Sequence, residues 1–232
     1  MLVTHFGERV REGKYGLNLT REKYAPANKR SSISGPKELY PPGVWDALDD
    51  LHEDEDHRTY TDEAVNTMQE NALINFDLNM AYFESLEREG FDQAIAKVLT
   101  IAPKLKEIQN LTELDGKSGL YLLVLDKYKQ AYIGQSQDMR KRIKAHWSTA
   151  KPLDRLVFGK VNESILSIDS FRALDTTRIY AWVTSRPDKK EFQITMELRE
   201  KYLLNRLAGG IPQSGFALTA RLVSRPKRQL TN

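Results

Sequence analysis

Two tyrosines (Tyr121 and Tyr132), an arginine and a histidine four residues apart (Arg142 and His146) and a later glutamate, Glu200, are the side chains here whose types and order admit chemistry. Together they suit hydrolysis of a phosphodiester. Negative charge grows on the non-bridging oxygens in that transition state, so the reaction needs a fixed cation, a proton acceptor for water and commonly a metal ion. The planar guanidinium of Arg142 offers a two-point grip on phosphate. His146 or a deprotonated tyrosine would take the proton. Free tyrosine has a pKa of about 10, so a tyrosinate needs help from a neighbouring cation or metal. A hard oxygen ligand for Mg²⁺ or Mn²⁺ would complete the set.

The local sequence predicts elements able to position these groups. Gly119 to Asp126 is an apolar run, too short for an ordinary helix and rich in branched and aromatic residues, which predicts a buried strand carrying Tyr121. Gln130 to Ile133 can return as its antiparallel partner and carry Tyr132, before Gly134 interrupts the ladder. Ser136 is a candidate N-cap and Asp138 suits the positive first turn of a helix from Met139 to Trp147, dense in Lys and Arg. Arg142 and His146 share one face of that helix.

Asp188 to Leu207 has helical character and follows a strand-like run, Ile179 to Thr184. At about 100° per residue, and taking Phe192 as zero, Leu203, Met196 and Leu207 fall within roughly 60° and Leu204 near 120°, so Glu200, near 80°, lands inside that apolar arc. A carboxylate on a buried face is costly unless a metal or a cation meets it. Glu200 is therefore the expected metal ligand, with Glu197, at the margin of the arc, in reserve.

These residues carry a resemblance to the GIY-YIG nuclease family. Gly119-Leu120-Tyr121 matches the first half of the signature with Leu for the usual Ile, and Tyr132-Ile133-Gly134 matches the second half outright. Tyr132 to His146 resembles the continuation in which an arginine and, four residues on, a histidine face the cleft, and Arg199 to Leu204 resembles the metal-glutamate helix, favouring Glu200. The similarity spans roughly residues 117–215. It implies a small mixed or antiparallel sheet flanked by helices (α+β), a Mg²⁺ or Mn²⁺ cofactor, DNA as partner, and catalysis through Tyr121, Tyr132, Arg142, His146 and Glu200. The pattern departs at one point: members commonly place an asparagine a dozen or more residues after the glutamate, where this chain reads Ile211-Pro-Gln-Ser-Gly215. Gln213 could supply an amide there, or Asn205 if the helix ends early. That departure motivates the alternative of a catalytically weakened DNA-binding or assembly protein.

Charge divides the chain. Residues 116–232 hold 22 Lys and Arg against 10 Asp and Glu, a net +12, whereas residues 1–115 carry a net −9. The half with the motif is thus the half suited to phosphates, with Arg140, Lys141 and Lys144 expected to contact DNA in a salt-dependent manner and residues 216–232 forming a basic tail. Residues 1–115 read as a mainly helical accessory region for target recognition, a protein partner or self-association. Within it, Asp62 to Arg88 and Phe91 to Leu111 have helical periodicity, the second broken near Pro103; residues 1 to about 43 are rich in Gly, Pro, Lys and Arg, with Lys29 to Pro36 read as a loop and Met1 to Arg30 expected to reach across DNA or pack on the nuclease core. His52-Glu-Asp-Glu-Asp-His57 lacks organised ligand spacing and reads as a solvated acidic loop. The polar connector Ile168 to Arg178 could hold Asp169, Arg172 or Arg178 beside DNA, although a structural loop capping the next strand is the plainer reading. The chain has no cysteine, which fits a reducing cytoplasm, and no apolar run approaches the roughly 20 residues of a membrane span.

Overall fold

The computed structural model describes residues 1–24, 30–32, 34–149, 155–185, 194–195, 198, 200–205 and 230. Glu197, Gln213, most of the helix expected over 188–207 and all of the basic tail except Leu230 lie outside them. The fold is α+β, with two small antiparallel sheets and several helices.

A hairpin opens the chain. Strands β1 (Leu2–His5) and β2 (Glu8–Arg11) are joined by Phe6 and Gly7, both at positive φ, as a two-residue turn matched to strand twist requires. This hairpin packs on the core, one of the two expectations for Met1 to Arg30: Leu111 N–H donates to the Phe6 carbonyl at 2.9 Å, and the Phe6 ring stacks on Trp147. A one-turn helix, α1 (Arg21–Tyr24), follows.

Two longer helices come next. Helix α2 (Asp62–Ser85) is capped by Thr61, whose side chain accepts from Ala64 N–H, and it buries Ala72, Phe76 and Phe83 along one face. Asn75 and Asn79 are buried on the same helix because their amides donate to the Ser164 carbonyl at 2.9 and 3.0 Å. Helix α3 (Arg88–Ile101) buries Phe91, Ala94, Ile95 and Val98 and stops before Pro103, whose ring disfavours helical backbone in the residue preceding it. Between α1 and α2 the acidic segment departs from expectation in one respect. His57 and His52 are buried in a stack running Trp45, His57, His52, Tyr60, with adjacent ring centroids 4.0 to 4.7 Å apart, while Glu53, Glu55 and Asp56 remain exposed.

The main sheet has the order β3-β6-β4-β5, formed by β3 (Lys106–Glu107), β4 (Gly119–Leu125), β5 (Gln130–Ser136) and β6 (Arg178–Val183), every neighbour antiparallel. All seven residues of β4 are buried, so its unbroken apolar run reflects a central strand covered on both faces. Helix α4 (Met139–Ser148) follows β5. Its N-cap is Asp138, which accepts from Lys141 N–H at 3.0 Å; Ser136 instead supports the turn before it by accepting from Asp138 N–H.

The boundary expected at residues 115 and 116 does not divide two cores. Strand β3 comes from the acidic half yet supplies an edge of the main sheet, and one apolar cluster runs from Leu19 through Phe76, Phe91 and Leu111 to Leu123, Phe171 and Leu204. Leu19 N–H also donates to the buried Asp175 carboxylate at 2.8 Å. The physical reason is coverage: a sheet apolar on both faces needs two packed layers, and the buried faces of α2 and α3 join the same apolar cluster as β4.

Candidate active site

Antiparallel register sets the two tyrosines together. Tyr121 lies opposite Gly134 and Tyr132 opposite Leu123, so both side chains stand on one face of the sheet as diagonal neighbours, with ring centroids 6.3 Å apart. Gly134 is required by close approach: a Cβ there would sit 2.5 Å from the Tyr121 ring and 2.8 Å from the Tyr132 ring. Gly119 is constrained in the same way, since its Cβ would lie 2.2 Å from the Trp182 carbonyl oxygen and against Met139 of α4. Both signature glycines thus let aromatic rings, a neighbouring strand and a helix crowd one end of the hairpin.

Helix α4 brings its two residues over that face. The Tyr121 hydroxyl lies 2.9 Å from His146 Nε2, and the Tyr132 ring meets the imidazole edge-on at 5.1 Å. Arg142, half-buried one turn earlier, lies near enough to Tyr121 for its cation to act on the hydroxyl. On the far side, His146 Nδ1 is in hydrogen-bond contact with the Asp169 carboxylate. Tyr121, His146 and Asp169 are 1%, 1% and 6% exposed, so the relay is a buried one, and Tyr132 and Arg142 form its more open side.

Electrostatics fix the resting states. Burial raises the Tyr121 phenol well above its usual pKa of 10.0, the nearby Tyr132 adds to the rise, and the Arg142 cation opposes it without prevailing. Tyr121 therefore rests as a phenol near neutral pH, and the deprotonated tyrosine considered from the sequence is not its ground state. Burial works against the Arg142 cation too, but Tyr121, Tyr132 and Asp169 outweigh it and raise its pKa.

Glu200 approaches the same hairpin from its other edge. It is half-buried in a 3₁₀ turn, Glu200–Tyr202, after which the chain leaves helical geometry: Leu203 forms a parallel bridge with Ala131, and Leu204 N–H donates to the Ala131 carbonyl at 2.8 Å. The helix expected to run to Leu207 thus ends by Leu203, because the unpaired backbone of β5 offers hydrogen bonds there. Asn205, freed from the helix, grips both main-chain groups of Ile133, accepting from its N–H at 3.0 Å and donating to its carbonyl at 2.6 Å. It braces the residue that follows Tyr132.

The basic face of α4 is differently arranged from expectation. Arg140 and Lys144 converge on the buried Glu8 of β2 at 2.6 and 2.8 Å, and Arg140 also reaches Asp115 at 3.1 Å. Of the three residues expected to contact DNA, Arg140 is half-buried and Lys141 and Lys144 are exposed, with Lys144 tied to Glu8. The Arg140 hydrogen bond is the largest influence holding the Glu8 carboxyl below its ordinary pKa. Its stabilising effect is thus present above the unfolded pKa of about 4.3 and is lost as pH falls through the lower folded value. We expect Glu8→Gln to bind DNA more tightly, with a log-affinity against log-salt slope steeper by up to about two, and to lose that acid-range component of its stability. Salt-titrated binding and denaturation at several pH values check both; an unchanged salt slope would mean that the freed cations do not meet phosphate.

The polar connector contributes one site residue that the motif does not contain. Asp169 joins His146, whereas Arg172 is fully buried and donates to the Asp169 and Trp147 carbonyls, and Arg178 pairs with Asp126 at 2.6 Å. The structure thus gives the latter two the structural role. The only sequence signal for Asp169 was the unusual polarity of Ile168 to Arg178. Among the described residues no group of three or more His, Asp or Glu converges as a metal cage, and no helix is long and apolar enough to cross a membrane. Comparison with protein-family models, with curated proteins and with solved structures finds no match to this chain.

Proposed function

We propose that this protein is a metal-dependent DNA endonuclease that hydrolyses phosphodiesters at the Tyr121, Tyr132, Arg142, His146 and Glu200 site. The observation that carries the reading is the convergence of a half-buried guanidinium, two tyrosines and a carboxylate-backed imidazole on one sheet face. That combination offers a rigid cation for developing phosphorane charge and a buried acceptor for a proton.

Arg142, whose cation lies near Tyr121, binds and orients the phosphate. Tyr132, on the open side, positions the attacking water. His146 holds the proton delivered through Tyr121. Glu200 would hold Mg²⁺ or Mn²⁺. A single carboxylate suits such an ion, which keeps several waters and takes its remaining oxygens from phosphate, and does not suit a protein-caged metal. When bound, the ion would supply Lewis-acid stabilisation of the phosphoryl oxygens. Lys141 and the basic tail would add phosphate contacts, and restriction, mobile-element or repair roles all draw on the same chemistry.

The test is cleavage of supercoiled plasmid and of single-stranded DNA by the full chain with Mg²⁺, with Mn²⁺ and with chelator. Nicking or linearisation that requires metal is the expected result. Salt-dependent binding with no cleavage in either metal would overturn the enzyme reading in favour of a DNA-binding or assembly protein on the same scaffold.

A further inference from the structure

We propose that Asp169 is a positioning residue that fixes His146 in the tautomer protonated on Nδ1, leaving Nε2 bare to accept from the Tyr121 hydroxyl. For its catalytic consequence this rests on the nuclease reading above; the tautomer assignment stands on geometry alone.

An ionised carboxylate can only accept, so the imidazole nitrogen facing Asp169 carries the proton. In the neutral ring Nε2 then holds a lone pair, and the hydroxyl 2.9 Å from it must donate. The Tyr121 oxygen is left as an acceptor, an orientation favoured by the nearby Arg142 cation. A single direction of donation therefore satisfies the chain Tyr121, His146, Asp169. The reversed tautomer would set the Nδ1 lone pair against a carboxylate inside a buried site, where two facing acceptors are costly.

Asp169 is itself held firmly. Its N–H donates to Ser167 Oγ at 3.2 Å, and its carbonyl accepts from the fully buried Arg172 at 3.0 Å. Among the described residues, the charged or titratable groups around the imidazole include Tyr121 of β4, Tyr132 of β5, Arg142 of α4 and Asp169 of the connector. Any proton leaving Tyr121 arrives at Nε2, and the imidazolium so formed gains the Asp169 counter-charge. Because Asp169 is buried, its influence on cleavage should fall on turnover and spare DNA binding.

The first arm of the test is ¹⁵N NMR of the imidazoles in the unaltered full chain, with His146 assigned by the signal lost in His146→Gln. Above its titration His146 should show a protonated Nδ1 and a bare Nε2; an Nε2-protonated ring overturns the proposal. The second arm is Asp169→Asn. Turnover should fall about 10²–10⁴-fold with DNA affinity within about twofold, and the His146 titration should move to lower pH because the imidazolium has lost its anion. Unchanged turnover and titration, or a parallel loss of binding and turnover with the tautomer unmoved, would reduce Asp169 to packing and overturn the proposal. If Asp169→Asn does not fold, the first arm decides. If the unaltered chain cuts no DNA, the nuclease reading fails while the NMR result still decides the tautomer.

Discussion

Replacing Glu200 by alanine should abolish metal-dependent cleavage, lowering turnover by about 10³-fold or more, because loss of the metal forfeits several kcal/mol of charge stabilisation in the transition state. Folding should survive. Glu200 is half-buried, and the contact that ends its turn is made by its main-chain carbonyl, which accepts from Leu203 N–H at 3.1 Å and is untouched by the substitution. The bridge from Leu203 to Ala131 and the Asn205 grip on Ile133 should likewise persist, so the edge of β5 keeps its shape. Mn²⁺ binding followed by paramagnetic resonance should weaken in step with activity, while DNA affinity in chelator stays level. Glu197→Ala should be much milder. Inactivation by Glu197→Ala with Glu200→Ala still active would assign the metal to the wrong carboxylate.

Arg142→Ala should cost about 10²–10³-fold in turnover and far less in affinity, since a preorganised donor that meets developing charge acts mainly on the transition state. The structure sharpens this expectation relative to the other cations of α4. Arg142 is half-buried against Tyr121, whereas Arg140 and Lys144 are tied to Glu8 and Lys141 is exposed. Lys141→Ala should therefore weaken binding and flatten its salt dependence without a specific rate defect. Kinetics under single-turnover conditions, with binding measured separately, distinguish the two. Equal losses of binding and turnover in Arg142→Ala would make it a plain phosphate anchor.

Much of the main sheet's hairpin could be read from residues alone. The strand from Gly119, its return through Tyr132 and the helix carrying Arg142 and His146 all depend on local signals: an apolar run, a turn, a cap and a period of 3.6. Helices α2 and α3 were legible for the same reason. The N-terminal hairpin was missed because its apolar content is low and its turn, Phe6-Gly7, lacks the usual Asn or Asp. The end of the Glu200 turn was also missed, since helical periodicity continues to Leu207 while the chain departs at Leu203 to meet a strand about seventy residues earlier.

By itself the sequence determined which groups can share a face: Tyr121 with Tyr132 through strand alternation, and Arg142 with His146 through the helical repeat. It also determined that the chain's positive charge lies in the half with those groups. Only the tertiary structure decided that His146 is backed by Asp169, 23 residues away, that Tyr121 is buried as a phenol, and that Glu8 holds Arg140 and Lys144 from 132 and 136 residues away. The reason is one of range. Periodicity reports the direction a side chain takes from its own element, whereas pairing, burial and charge state depend on which distant element packs against it.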